Sequence, residues 1–180
     1  MNFFHKTLLA LIGLFIILSF SNPEKKMEKI VAKLWKNTEL ILETIEVEKS
    51  YEKINILQGI YSEGKLLGYA SFSSSHGCKI GGCSAPTETV DDSYETFDYI
   101  IVFDTELNIL KVEIENYGGE YGYEICRRSW LKQFNGHRRK FELGKNIDGV
   151  SGATVSASYL IEDINQLNQL IAQLKHKKLI

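Results

Sequence analysis

Between Ile54 and Asn116 the apolar residues recur with a period of two, while the segments on either side repeat at steps of three and four. Side chains alternate faces along a strand and return every third or fourth position on a helix, so this change of period divides the chain into helix, strands and helix. Ile54, Ile56 and Leu57 lead to Ile60 and Tyr61. "SEGK", Ser62 to Lys65, supplies a hairpin turn before a returning strand from Leu66 to Phe72. Ser73 to Pro86 is rich in Gly and Ser and is expected as a loop. Tyr94 to Asp104 reads as a strong strand, "TELN" as a turn, and Ile109 to Asn116 as the next strand.

The flanks are helical. Met27, Ile30, Val31, Leu34 and Trp35 mark a helix over Pro23 to Asn37. Thr38 to Glu48 is ambiguous. Ile125 to Phe134 is expected as a short helix ended by Asn135-Gly136, and Phe141 to Leu143 as a short extended piece. The last helix starts near Ser151 and runs to about Lys177. Leu160, Ile164, Leu167, Ile171 and Leu174 form one narrow apolar face, and Lys175, His176, Lys177 and Lys178 sit at the negative end of the helix dipole. The expected class is α+β, a mostly antiparallel sheet with an N-terminal helix and a long C-terminal helix.

The chain has 180 residues, enough for one domain with a real core, and 44% of them are hydrophobic. The formal charge of −2 lacks the basic footprint that nucleic acid requires. Leu8 to Phe20 is an uncharged apolar run after Lys6, and Ser19 and Ser21 offer a small-x-small cleavage site before Asn22. Residues 1–21 therefore read as an export signal or, uncleaved, as a membrane anchor facing outward. Residues 22–53 form the N-terminal helix and connector, and 54–180 the main domain. Outside the cytoplasm, Cys78 and Cys83 are compatible with a structural disulfide, with a redox thiol pair, or with a metal site that includes His76. Cys126 is expected in the core. No nucleophilic triad emerges from the four scattered histidines, and His137 to Lys140 is a basic surface cluster.

The segment that carries chemistry is "DGVSGAT", Asp148 to Thr154, at the start of the last helix. With Ser151 as N-cap, Gly152, Ala153 and Thr154 become the first helical positions. Their N–H groups lack intrahelical partners, and together with the helix dipole they favour a phosphate. Gly152 and Ala153 leave the backbone accessible, and Thr154 adds a hydroxyl. The plainer alternative is an Asp148-Gly149 turn, a capping serine and a tolerated threonine.

This segment resembles the Asp-x-x-Ser/Thr-Gly-Ala-Thr motif of FMN-binding domains. That family includes the C subunit of the sodium-translocating NADH:quinone reductase and the G subunit of the Rnf complex. Asp148, Ser151, Gly152, Ala153 and Thr154 match all its specified positions. Glu120 and Gly122 in "GGEYGYE" are similar to the family's Glu-Thr-x-Gly segment, with Tyr121 in place of the threonine, and "QFNGH", Gln133 to His137, also fits. The resemblance implies that a flavin transferase attaches FMN through its phosphate to Thr154. It implies that Asp148, Gly149, Ser151, Gly152 and Ala153 form the motif, and that residues 54–180 are an FMN-binding domain. Glu120 and Gly122 would line the ring or ribityl chain. Tyr117, Tyr121 and Tyr123 are available for stacking or for plain packing. The implied activity is electron transfer, by a flavin carrier or a subunit of a membrane redox complex rather than a stand-alone enzyme, with an unidentified donor and acceptor. The competing readings are a non-covalent or non-redox flavin module and a thiol–disulfide protein using Cys78 and Cys83.

Overall fold

The computed structural model describes residues 22–36, 38–47, 52–79 and 94–180. Five antiparallel strands form a meander in the order β1 (Ile41–Thr44), β2 (Ile54–Ser62), β3 (Lys65–Lys79), β4 (Tyr94–Asp104) and β5 (Ile109–Glu115). Helix α1 (Pro23–Leu34) precedes the sheet, and α2 (Arg128–Leu131) and α3 (Thr154–His176) follow it. The protein is thus α+β. Among the described residues no helix is long and apolar enough to cross a membrane, and the run Leu8 to Phe20 lies outside them.

The two helices cover opposite faces of the sheet, and the alternation along β4 shows how. Phe97, Tyr99, Ile101 and Phe103 point into a core shared with Leu160, Ile164, Leu167 and Ile171 of α3. Ile100 and Val102 point the other way and pack with Met27, Ile30 and Val31 of α1. β4 is therefore apolar on both faces because both faces are covered. Full burial of each such side chain contributes about 1.5–3 kcal/mol.

Local chemistry fixes the element ends. Asn22 caps α1, its Oδ1 accepting from the Glu24 N–H at 2.9 Å, with Pro23 in the first turn. The β2–β3 turn places Glu63 at φ 49° and Gly64 at φ 74°, the left-handed pair a two-residue hairpin needs. In the β4–β5 turn, Asp104 Oδ1 accepts from the N–H groups of Glu106 and Asn108.

Two expectations are corrected. Ser73 to Lys79 is not loop but the second half of β3, paired with β4 from Ser73↔Tyr99 to Lys79↔Tyr94. The serines are there for size and hydrogen bonding. Ser71, Ser73 and Ser75 are buried beneath α3, which packs chiefly on β3. The hydroxyls of Ser71 and Ser73 are 2.7 Å apart, and Ser75 donates to Asp163 of α3 at 2.5 Å. The segment Ile125 to Phe134 is not one helix. It is a 3₁₀ turn (Tyr123–Cys126), α2, and a second 3₁₀ turn (Lys132–Phe134). Phe141 to Leu143, expected as a short extended piece, joins none of the five strands, and Leu143 makes a single bridge to Ile147. The Asn165 side chain holds both backbone groups of Phe141 at 2.9 Å.

Candidate functional site

The start of α3 lies two residues later than the sequence suggests. Gly152 turns the chain with φ 81°, Ala153 occupies the N-cap position without a side-chain cap, and Thr154 is the first helical residue. Ser151 is therefore not the cap, and Gly152 and Ala153 are not helical. The first bond onto the helix is from the Ala157 N–H to the Ala153 carbonyl at 2.9 Å. The N–H groups of Thr154, Val155 and Ser156 precede it, the positions that a helix leaves unpaired. Their convergence at one spot survives the shift, but their owners change.

The loop that delivers Thr154 is anchored at its far end. Trp130 Nε1 donates to the Asp148 carbonyl at 2.8 Å, and the Asp148 N–H donates to Gln133 Oε1 at 2.9 Å. Both partners come from the α2 region, where Trp130 is buried. Asp148, Gly149, Ser151, Gly152 and Thr154 are exposed, whereas Ala153 is fully buried and pins the helix start to the core. A groove of about 490 Å³ opens beside this loop, lined among others by Glu124, Arg127, Trp130, Asp148 and Ser151. Glu124 lies against Gly152: a Cβ added there would stand 3.6 Å from Glu124 Oε1. Glu124 Oε2 is buried and has no hydrogen-bond donor among the described residues.

Behind the helix start, a second cluster ties the Gly118–Gly122 loop to α3. Tyr117 donates to the Tyr121 carbonyl at 2.5 Å, and its oxygen lies 3.0 Å from Ser156 Oγ. Ser156 Oγ also lies 3.7 Å from the buried Cys78 Sγ. Burial chiefly pushes the Tyr117 phenol up to about 12, the Ser156 hydrogen bond partly opposing it, with Cys78, Glu95 and Cys126 adding to the rise. Gly122 is buried at φ 86°, where a Cβ would fall 2.5 Å from the Tyr117 hydroxyl and 3.3 Å from Cys78 Sγ.

The expected site residues therefore divide. Asp148, Gly149, Ser151, Gly152, Ala153 and Thr154 form one continuous loop and helix start. Gly122 reaches the same helix turn from beneath, through Ser156, and is buried. Glu120 is exposed, with its N–H held by Glu95 Oε1 at 3.2 Å. Tyr117 stacks on Phe97 with ring centroids 5.2 Å apart, so its ring serves packing. Tyr121 and Tyr123 are exposed on either side of Gly122. Glu124, Arg127, Trp130 and Ser156 were not singled out from the sequence. The fit of Gln133 to the "QFNGH" pattern is the one sequence signal that touches their neighbourhood.

The cysteines are placed in part. Cys78 is buried at the end of β3, and Cys83 lies outside the described residues, so the expected disulfide or thiol pair does too. Cys126 is half-buried against the main core, and burial followed by the Glu124 charge raises its thiol above the ordinary range. His76 packs its ring against Tyr94 and Tyr159. Among the described residues no cluster of His, Cys, Asp and Glu is arranged to hold a metal.

No protein-family model and no curated protein matches the chain.

Proposed function

We propose that this is an exported electron-transfer protein that carries FMN, joined through its phosphate to Thr154 by a flavin transferase. The observation that carries the reading is the position of Thr154. It is the exposed first residue of a long helix, next to N–H groups that lack helix partners, at the end of the "DGVSGAT" segment. Thr154 is the acceptor: its Oγ1–P bond replaces the phosphoanhydride bond of FAD, its proton passes to the medium, and AMP leaves.

The surrounding residues suit such a group. Gly152 leaves open the space a Cβ would take. Arg127 adds a positive charge to the groove, and Glu124 Oε2 is an acceptor without a donor, matched by the hydroxyls of a ribityl chain. The exposed rings of Tyr121 and Tyr123 offer flat apolar surface to an isoalloxazine. Bound there, the flavin would supply the redox chemistry, while the protein supplies position and electrostatics. A covalent bond suits a protein outside the cytoplasm, where a reversibly held cofactor is lost by dilution.

The test is a denaturing gel of protein coexpressed with a flavin transferase. A fluorescent band that Thr154→Ala removes and Cys78→Ser keeps supports the reading. Absence of any band from the unaltered chain refutes the covalent attachment.

A further inference from the structure

Helix α1 carries a row of lysines that the sheet does not use. Met27, Ile30 and Val31 are buried against β3 and its neighbours, which fixes the inward face of the helix. At 3.6 residues per turn, Lys25, Lys29 and Lys33 then fall on the far side, with Glu24 and Glu28 displaced to one flank. Lys25, Lys29, Lys33 and Lys36 are all exposed. Lys26, on the other flank, is paired with Glu115 of β5. The whole chain has 21 basic and 23 acidic residues. Concentrating five lysines against two glutamates between Glu24 and Lys36 leaves the rest of the molecule distinctly acidic. Lysines one helical turn apart repel by a few tenths of a kcal/mol (about 0.2–0.5), so the row weakens the helix unless an anionic surface lies over it.

The chain itself indicates which surface that is. The apolar run Leu8 to Phe20 ends just before α1, with Ser21 and Asn22 between. Three residue steps span at most about 10 Å, so a bilayer entered by that run lies against the first turn of α1. We propose that the outward lysine face of α1 docks on anionic phospholipid headgroups. The docking places α1 between membrane and sheet and turns the opposite sheet face, with α3 and Thr154, away from the lipid. The inference rests in part on the reading of Leu8 to Phe20 as a membrane-directed segment and is independent of the flavin.

The test uses the full chain and vesicles of phosphatidylcholine with and without phosphatidylglycerol. Each lysine near an anionic surface strengthens attachment by about five-fold. Partitioning therefore rises on the order of 100-fold with phosphatidylglycerol at low salt, and the gain disappears when salt shortens the Debye length. A triple variant, Lys25→Gln, Lys29→Gln and Lys33→Gln, alters only exposed side chains. It loses that gain and binds neutral vesicles as before. Equal partitioning into both vesicle types, or a gain that survives the triple variant, overturns the proposal and leaves the row to an acidic protein. Failure to bind neutral vesicles counts only against Leu8 to Phe20 as an anchor, because the phosphatidylglycerol-dependent gain is read separately.

Discussion

The Tyr117 hydroxyl and Ser156 Oγ lie 3.0 Å apart, joining the loop after β5 to the first turn of α3. The contact requires the backbone of Gly122 to pass directly beneath both groups, which only a glycine at φ 86° permits. Gly122→Ala therefore meets both a left-handed backbone and a filled space. The expected loss is roughly 2–5 kcal/mol of unfolding free energy, read from the shift of the urea midpoint. Gly118→Ala, with open space around its Cβ, changes stability by no more than about 0.5 kcal/mol.

Asp163 is a second fastening of α3 to the sheet. Its buried carboxylate accepts from Lys53 at 2.6 Å and from Ser75 at 2.5 Å. The Lys53 side chain is 40% exposed, so solvent screens part of the pair. Lys53→Met leaves the carboxylate buried beside Ser75 alone and is expected to cost about 1–3 kcal/mol. Adding Asp163→Leu to that variant removes the stranded charge, and thermal unfolding should show partial recovery. A double variant less stable than Lys53→Met would mean that the pair itself, rather than the stranded charge, sets the cost.

β2, the first half of β3, β4, β5 and both long helices were legible from the period of their apolar residues, whereas β1 falls in the ambiguous segment Thr38 to Glu48. What escaped the sequence had specific causes. Ser73 and Ser75 resemble loop composition, yet small hydroxyl side chains let α3 sit close on β3 and find partners there. The helix start was misplaced because Ser151 is a good capping residue, while the left-handed turn at Gly152 is decided by how Ala153 packs in the core. The anchoring of Asp148 by Trp130 and Gln133 joins residues far apart in the chain. No local pattern encodes that contact. The motif itself was fully legible as a segment, since it is continuous.

Stability is expected to fall at alkaline pH, with Tyr99 and Tyr117 responsible. Burial is the main cause that raises both phenols, reinforced for Tyr99 by the Asp163 charge and opposed for Tyr117 by the Ser156 hydrogen bond. Below about pH 10 both folded and unfolded chains keep these protons, so the groups contribute no slope. Above it the unfolded chain loses them first and the native state binds more protons, so unfolding free energy declines as pH rises. For Tyr117 the decline extends to about 12. Tyr117→Phe should flatten part of this slope in urea titrations above about pH 10. An unchanged slope would exclude Tyr117 as a source.

Thr154 separates attachment from folding. Its side chain is exposed, so Thr154→Ala should alter stability by no more than about 0.5 kcal/mol. In the presence of a flavin transferase, the same change abolishes the FMN adduct on the peptide that contains residue 154. Thr154→Ser keeps a hydroxyl at the same first-turn position and retains some adduct, at a reduced yield. Peptide mass spectra decide both outcomes. A bare Thr154 in the unaltered protein, matured with an active transferase, removes the basis for covalent attachment, whatever flavin the fold binds reversibly.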